Sequence, residues 1–388
     1  MTTVSELDPP LPTPASTTDG TPGDRRGSWV PTAGMIATRF MELRRRRGLM
    51  VALVVVNIGI PVVFLTVRLV LHASDPKSYG PAGGYNIYTG LTAGVMYVFG
   101  FIVAATLGCT AGSIDLTEGM FRHLVVTGRS RLSLYLARIP AGLAIVVPLV
   151  AIGFTVVCAV CVFAAPTSIN YDGARVPAHL SLTGFETWAG NNPDPVLCDL
   201  PYDQPTPVNV PCGPGGPTVN GPGPTGVPVQ SSPSAIKALA VQVAQQDYPG
   251  YKTLFLYPSD SLMIETGLWI ELEATIGFIV GLGLASLMGQ RTVPVILLIV
   301  LEIILTPILS RAHLPHLANL QRSVVGLATA HLAPGGLPVL GGGGGGPGGG
   351  QGSPALLPES TTVAVCVILA WLVGWTILGA WRMAKRDA

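Results

Sequence analysis

Five polar side chains interrupt long apolar stretches of the sequence, and they are the first candidates for chemistry. Glu271, Glu273 and Glu302 carry carboxyl groups, Asn57 carries an amide and Arg68 carries a guanidinium group. Such groups in apolar helices are costly unless they face a partner or water, so they mark proton relays and transport sites. Structural hydrogen bonding, or a place near the end of the helix for Glu271 and Glu273, is the alternative. Glu302 lies in the middle of its apolar stretch and is the strongest candidate.

Motifs for enzymatic chemistry are missing from the sequence. A phosphate-binding loop needs a lysine after its last glycine, and none of the four lysines follows a glycine, which excludes the glycine run 341–350. Ser234-Ala-Ile-Lys237 matches the Ser-x-x-Lys pattern of penicillin-binding enzymes, but the companion motifs are absent. His313 and His316 have no third metal ligand nearby in the sequence. We therefore predict no catalytic residue, no metal site and no cofactor site in this chain.

Six long apolar runs are the elements that must position the polar side chains. They are residues 49–71, 92–111, 139–165, 266–289, 293–310 and 361–381. Each is close to the roughly 20 residues that a helix needs to cross a bilayer. Only 11% of the residues are charged, whereas a soluble domain carries about 25%. The predicted fold class is an all-α membrane protein with six transmembrane helices.

The basic residues predict which side of the membrane faces the cytoplasm. Most of the 22 Lys and Arg fall on the termini and on the loops that share their side, including the block Arg44 to Arg47 before the first span. Cytoplasmic loops of membrane proteins are enriched in these residues. We therefore predict a multi-pass plasma-membrane protein with both termini in the cytoplasm. The net charge of +1 gives no reason to expect a nucleic-acid partner.

The polar segments complete the predicted organisation. It begins with a disordered cytoplasmic tail (1–32), followed by an entry helix and spans one to three with an inner segment at 112–138 (33–165). An extracytoplasmic loop (166–265) then leads to spans four and five (266–310). The chain continues with an outer amphipathic segment and Gly-rich linker (311–360), and with span six and a basic tail (361–388). The Pro, Gly, Asn and Thr content of 166–233 predicts irregular loop. Residues 234–262 predict a helical stretch and an aromatic run at the headgroup level. Residues 313–332 predict a helical pair on or in the membrane.

Cysteines and small residues give two further predictions. Cys198 and Cys212 lie in the predicted outer loop, where an oxidising exterior permits a disulfide; independent thiols are the alternative. Small residues recur every four positions in spans two and four, a spacing that lets helix backbones approach closely. Packing within the chain and a subunit interface both fit this spacing. The two ladders are Gly100, Ala104, Gly108, Gly112 and Gly277, Gly281, Ala285, Gly289.

The most structured polar segment lies between spans two and three. Its acidic, basic and turn residues are Asp115, Glu118, Gly119, Arg122, Gly128, Arg129, Ser130, Arg131 and Arg138. The segment resembles the permease subunits of ABC-2-type exporters, which carry an acidic-Gly-x-x-Arg helix and a Gly/Pro-x-Ser-Arg turn at this place. The basic amphipathic entry at 35–47 looks like the elbow helix of that family, and the outer helices before span six fit as well. The resemblance covers about 35–165 and 260–385.

The resemblance implies a permease subunit without an ATPase site of its own, and hence not an enzyme. It would pair with a second permease, a copy or a paralogue, and with separate cytosolic ATP-binding subunits that hold ATP and Mg²⁺. It would export a lipid, a drug-like molecule or a peptide. The outer loop and the Gly-rich insertion depart from the family pattern. The implied contacts with the ATPase are Asp115, Glu118, Gly119, Arg122, Arg129 and Arg131.

Two other functions remain open at the level of sequence. A secondary transporter driven by a proton gradient would use Glu302 and its neighbours. A membrane-anchored structural or sensor protein would bind a ligand with its outer loop. In addition, a plain inner loop that follows the distribution of basic residues is the alternative for 112–138.

Overall fold

Helices make up most of the described protein. The computed structural model describes residues 30–75, 79, 81–117, 130–171, 174–198, 233–255, 257–311, 318–334, 337 and 360–385. Six of its helices are long and apolar enough to cross a membrane. We call them spans one to six, in the order Arg47–Ser74, Tyr85–Ile114, Arg131–Phe163, Asp260–Met288, Thr292–Ser310 and Thr361–Lys385. Each predicted apolar run overlaps one of these helices, so the prediction of six helices long and apolar enough to cross a membrane is confirmed.

Three of the spans contain a π-helical turn. Span one consists of Arg47–Val54, the π-turn Val55–Gly59 and Ile60–Ser74. Span two consists of Tyr85–Leu91, the π-turn Thr92–Met96 and Tyr97–Thr117. Span five consists of Thr292–Ile299, the π-turn Val300–Leu305 and Thr306–Arg311. Span three is divided differently, into Arg131–Leu136 and Arg138–Phe163. Single π-turns are uncommon within α-helices and are frequent at functional sites.

An amphipathic helix, α1 (Ala33–Arg45), precedes span one and packs against span three. Arg39 and Leu43, one turn apart, form its buried face. The Arg39 guanidinium pairs with Glu42 at 2.6 Å, which compensates the buried charge. The structure therefore has a helix where the amphipathic pattern predicts the entry helix.

Span four is the centre of the helical bundle and packs against spans two, three and six. Where it meets span two, the two backbones touch: a Cβ on Gly108 would overlap the carbonyl oxygen of Phe278. Because any side chain would separate the helices there, the small-residue ladders serve packing within the chain. The glycines that make these backbone contacts are Gly108, Gly112, Gly277 and Gly281. We call this contact the glycine seam.

Local signals set the ends of span four. The Ser259 hydroxyl accepts a hydrogen bond from the Leu262 backbone N–H and caps the first turn. At the other end Gly289 has a φ of 72°, a left-handed conformation that glycine adopts without steric cost. Span five begins at Thr292, so residues 289–291 form a short turn and the two spans form a helical hairpin.

Residues 168–255 contain a small subdomain between spans three and four. Its described residues form a two-stranded antiparallel sheet, β1 (Ser168–Tyr171) and β2 (Ala174–Pro177), and three helices, α2 (Leu182–Asn191), α3 (Pro193–Cys198) and α4 (Pro233–Phe255). The prediction of irregular loop was wrong for 168–198, because scattered apolar residues meet α4 in a common core. That core includes Val176, Phe185, Ala189, Val196, Leu197, Ala240, Val243, Ala244 and Tyr251. We call this unit the 168–255 subdomain, and the end of the bundle that carries it the subdomain side.

Two aromatic residues of α4 contribute to this core: Tyr251 lies in it and Tyr248 packs against it. The Tyr251 ring stacks on Phe185 with centroids 4.2 Å apart, and Tyr248 lies 5.9 Å from Tyr251. Tyr257, beyond the helix, is exposed. The first half of the predicted headgroup-level aromatic run therefore stabilises the subdomain.

Between spans five and six, a helical pair enters the bundle from the subdomain side. It comprises α5 (Ala318–Arg322) and α6 (Val325–His331). The Trp371 indole of span six donates to the Ser323 carbonyl between the two helices at 2.8 Å. Residues 325–330 of α6 are all buried. The predicted helical pair is thus present, and its second helix is inserted between the spans.

Candidate functional site

A buried polar cluster lies where α6 ends its path into the bundle. It joins side chains of spans two, four and five to the backbone and one hydroxyl of α6. Polar groups in an apolar interior are costly unless they are hydrogen-bonded, so their assembly here is specific. We call Glu273 and Glu302, the two acidic members, the carboxyl pair.

Glu273 of span four is bound by α6. The Thr329 hydroxyl donates to Glu273 Oε1 at 2.5 Å, and only 1% of Glu273 is exposed. The Trp269 indole, one turn earlier on span four, donates to the Thr329 carbonyl at 2.8 Å. Residues 269 and 273 lie on the same face of a helix, so span four holds Thr329 at two points.

Glu302 of span five lies against the backbone of α6. The Tyr97 hydroxyl of span two donates to Glu302 Oε1 at 2.8 Å and lies 3.4 Å from the Gly326 carbonyl. A Cβ on Gly326 would lie 2.8 Å from Glu302 Oε2 and 2.9 Å from the Thr306 methyl carbon. Only glycine therefore lets α6 approach the Glu302 carboxyl so closely.

An aromatic stack connects the two halves of the cluster. The rings of Tyr97 and Trp269 are nearly parallel, with centroids 4.9 Å apart. The stack fixes the Tyr97 ring, and thereby aims its hydroxyl at Glu302. One pair of aromatic residues thus positions the donors to both α6 and span five.

The cluster lies deep within the spans. Glu273 is 13 residues past the start of span four at Asp260, which at about 1.5 Å per residue is roughly 20 Å along the helix. Glu302 is ten residues past Thr292, or roughly 15 Å from the opposite end. The carboxyl pair therefore lies near the middle of the bundle.

π-Turns lie at three of the intramembrane polar residues. Glu302 is inside the π-turn of span five, Asn57 is inside that of span one, and Tyr97 directly follows that of span two. Such turns rotate the following side chains relative to a regular helix and are frequent at functional sites. They offer a structural reason why these polar groups face protein partners.

Asn57, the predicted polar residue of span one, has a packing role. Its Nδ2 donates to the Leu149 carbonyl of span three at 2.7 Å. Gly153 lies beside it, and a Cβ there would be 2.8 Å from the Asn57 carbonyl oxygen. Asn57 therefore ties spans one and three together, apart from the carboxyl pair.

Glu271, the third carboxyl candidate, is not brought into the cluster by the described contacts. It is two residues from Glu273, which places it on the other side of span four. Both of its carboxyl oxygens are shielded and have no hydrogen-bond partner in the described part of the chain. Of the three predicted intramembrane carboxyls, the structure joins Glu273 and Glu302.

A second polar contact lies at the opposite end of spans two and four. The Gly112 carbonyl accepts from Arg138 Nη1 at 3.2 Å and from the Ser286 hydroxyl at 3.4 Å. Arg138, the first residue of the long helix of span three, is 2% exposed. We call this contact the Gly112 clamp. It joins the ends of spans two, three and four beside the inner segment.

The inner segment itself is described only at its borders. Asp115 lies in the last turns of the span two helix, Tyr97–Thr117. Arg131 begins span three and donates to the Ala384 carbonyl near the end of span six at 3.3 Å. The other predicted contacts with an ATPase lie outside the described residues: Glu118, Gly119, Arg122 and Arg129. Cys212 is also outside them, so its disulfide with Cys198 stays a prediction.

Tyr97, Trp269, Thr329 and Arg138 are the site residues that sequence reasoning missed. Tyr97 and Trp269 both stand within apolar runs, and Trp269 lies one turn from Glu273. These positions were the available signals. Thr329 gave no signal, because its role depends on the insertion of α6. Arg138 was counted only as a basic residue of the cytoplasmic side.

Comparison with known proteins gives no relative from which a function could be transferred. No family model matches the chain, and no curated protein and no solved structure matches it. Any function must therefore be argued from the cluster and from the sequence.

Proposed function

We propose that this chain is the membrane-spanning permease subunit of an ATP-driven exporter in the plasma membrane. In this proposal both termini and the inner segment 112–138 lie in the cytoplasm, and the 168–255 subdomain lies outside. The observation that carries the proposal is α6. It enters from the subdomain side and ends on the carboxyl pair in the middle of the bundle, so it closes that side until it moves.

Energy for this movement comes from a separate subunit in our proposal. The sequence has no phosphate-binding loop, and its charged inner segment has the type and spacing that resemble an ATPase contact surface. A rigid-body movement is transmitted by elements that pack tightly against each other. The segment 112–138 is attached at both ends to such elements.

The Gly112 clamp and the glycine seam provide a path for that movement. The clamp joins the ends of spans two, three and four next to the inner segment. From there the seam couples spans two and four through direct backbone contact. Tyr97 and Glu273 lie beyond the seam on the same two spans, so a tilt of either span changes the bonds that hold α6.

The partners follow from the same proposal. One bundle offers its apolar outer faces to lipid, with exposed side chains such as Val63, Ile304 and Val373. A translocation path for a lipid, a drug-like molecule or a peptide would form between this chain and a second permease, either a copy or a paralogue. ATP and Mg²⁺ would be bound by the cytosolic subunits.

Purification of the chain from its native membranes tests the proposal. We expect an ATP-binding subunit to copurify, and ATP hydrolysis in the complex to depend on the chain. Arg122→Glu together with Arg129→Glu should remove the copurifying subunit, because both charges lie on the proposed contact surface. Arg291→Glu is the matched control, since Arg291 is an exposed basic residue in the turn between spans four and five.

Two results would lead us to abandon the exporter. One is a purified complex without an ATP-binding subunit together with inverted vesicles that show no ATP-dependent transport. The other is labelling that places Arg131 on the external face of intact cells. The second result would reverse the whole arrangement.

A proton-driven secondary transporter is the second candidate, favoured by two carboxyl groups in the middle of the bundle. It predicts transport that needs a proton gradient and no ATP, and that Glu302→Gln abolishes. A sensor is the third, favoured by the separate core of the 168–255 subdomain. It predicts a ligand that shifts the melting temperature of the whole chain without transport.

A further inference from the structure

The carboxyl pair has two acceptors that no described group satisfies. Glu273 Oε2 and Glu302 Oε2 are fully shielded and have no hydrogen-bond partner in the described part of the chain. Both carboxyl groups lie against one turn of α6, Glu302 beside Gly326 and Glu273 bound to Thr329. Each therefore keeps one oxygen without a described donor, close to a second acid.

The described residues that contact the pair carry no positive charge. Span two contributes Tyr97, span five contributes Thr306 beside Glu302, and α6 contributes Thr329. Span six, which packs against α6, has only Cys366 as an ionisable residue before Arg382. His331 ends α6 two residues after Thr329. Within the described residues, neither carboxyl group forms an ion pair.

We propose that Glu273 and Glu302 together bind one proton, and that this proton keeps α6 seated in the bundle. A proton on one carboxyl group neutralises one of the two buried charges and turns one acceptor into an O–H donor. Two ionised carboxylates in an apolar interior repel each other strongly. Loss of the proton to water therefore leaves two negative charges in contact with α6 and favours the release of this helix.

A row of buried hydroxyls connects the pair to the subdomain side. On span two, Tyr88 and Thr92 precede Tyr97 by nine and five residues across the π-turn, so the three lie along one face. On span four, Thr266 is two turns before Glu273 on the same face. The hydroxyls of Tyr88, Thr92 and Thr266 are buried. Those of Tyr88 and Thr266 interact with each other, and Thr92 has no hydrogen-bond partner in the described part of the chain.

Buried hydroxyls without protein partners are commonly satisfied by ordered water. The row thus provides a route by which the proton enters from, and returns to, water on the subdomain side. The consequence is a position of α6 that depends on the pH of that side. This proton site deepens the proposed exporter, in which α6 is also the moving element.

The rate at which a buried thiol on α6 is labelled tests the proton site. Ala328→Cys places a thiol at a fully buried position beside Thr329, and a membrane-impermeant maleimide is applied to the full chain in lipid nanodiscs. Ser323→Cys, at an exposed position, corrects for the direct effect of pH on thiol reactivity. The parent chain gives the background from native cysteines. The corrected rate should rise about tenfold per pH unit, as one-proton release requires.

Two variants show whether the carboxyl pair is responsible. Glu302→Gln and Glu273→Gln each replace an acid by an amide of similar shape, and each should reduce the pH slope to near zero. Glu271→Gln, on the other side of span four, should keep the slope of the parent. A pH-independent parent, a full slope in both pair variants, or a slope of about a hundredfold per pH unit, as two protons would give, would overturn the proposal. Monodisperse elution shows that each variant is folded.

The outcome is separable from that of the exporter proposal. Labelling is measured without ATP, partner subunits or substrate. A missing pH slope in a chain that still copurifies with an ATPase would remove the proton site alone. A normal slope in a chain without an ATPase would leave the proton site and remove the exporter.

Discussion

Spans two and four meet through two different kinds of surface. In the half nearer the inner segment, Gly108 and Gly281 bring the two backbones into direct contact. In the half nearer the subdomain, the contact is made by long side chains, including the stacked rings of Tyr97 and Trp269. The first half also carries the Gly112 clamp to span three, whereas the second half holds α6 and one glutamate of span five.

The difference indicates where this bundle can move. Backbone contact at the glycine seam leaves no side chain that could rotate to accommodate a shift, and close-packed interiors transmit strain. In the other half, a few hydrogen bonds hold a short helix, and these can be exchanged one at a time. We therefore expect the seam half to move as a rigid unit and the cluster half to change its contacts.

The largest effect is expected in the glycine seam. In Gly108→Ala the new Cβ overlaps the Phe278 carbonyl, so the two spans must separate. We expect a loss of about 3 kcal/mol, the upper part of the range for overpacked interiors. Thermal unfolding of the purified chain, followed by the loss of its monodisperse elution peak, measures the change.

The same ladder contains the matched control. Gly100 is one of its members, but a Cβ there would meet only a methyl group of Ile270 at 3.9 Å. Gly100→Ala should leave the melting temperature unchanged or raise it, since alanine is the better helix former by about 1 kcal/mol. Equal losses in both variants would show that the seam is not the rigid half.

The next effect concerns the bond between α6 and span four. Thr329→Val keeps the size of the side chain but removes the donor to Glu273. Leaving a buried carboxyl without that partner should cost about 2 kcal/mol, and α6 should become accessible to hydrogen exchange before the seam does. Thr106→Val is the control, because within the described residues the Thr106 hydroxyl bonds to the Ile102 carbonyl of its own helix alone. If α6 and the glycine seam of Thr329→Val became accessible to hydrogen exchange at the same time, the two halves would not differ in mobility.

Sequence patterns predicted the seam better than the cluster. Small residues every fourth position identify a close helix contact from one helix alone, and both ladders were found in this way. The cluster needs four elements at once, and Thr329 is 56 residues from the carboxyl group that it binds. No periodicity within one helix contains that information.

The 168–255 subdomain illustrates the same limit. Its segment 168–198 is rich in turn-forming residues, so the local composition predicted irregular loop. What orders it is α4: the Leu180 backbone N–H donates to the Tyr251 hydroxyl, 71 residues later. The helix of α4 was predictable from its own sequence, whereas the hairpin and α2 depend on the contact with it.

A smaller effect is expected from the Tyr97 hydroxyl. Tyr97→Phe keeps the ring stack on Trp269 but removes the donor to Glu302, and should destabilise the seated α6 by about 1 kcal/mol. The expected readout is faster hydrogen exchange in α6 with unchanged exchange in the seam. Tyr88→Phe is the control on the same span, since its hydroxyl lies beside Thr266 of span four, two turns away from the cluster. Similar exchange in the two variants would show that the hydroxyl of Tyr97 does not help to hold α6.

The smallest effect is predicted for the subdomain, which serves as an outside reference for both halves of the bundle. The Tyr251 hydroxyl donates to the Pro177 carbonyl at 2.7 Å and accepts from Leu180. Tyr251→Phe should destabilise the subdomain by less than about 1 kcal/mol. The expected readout is faster proteolysis within 168–198. Tyr257→Phe is the control, because this ring is exposed, and it should leave the rate of proteolysis unchanged.

The pH dependence of this contact has a defined sign. Burial raises the pKa of Tyr251 above its ordinary value, so the neutral phenol that donates to Pro177 is favoured in the folded subdomain. The contribution is complete below the ordinary tyrosine pKa of about 10 and is lost as the pH rises through the higher folded value. Proteolysis of the parent should therefore approach that of Tyr251→Phe only at strongly alkaline pH. If either variant also altered hydrogen exchange in α6, the subdomain and the cluster would be one cooperative unit, and the mobile half of the bundle would extend into the subdomain.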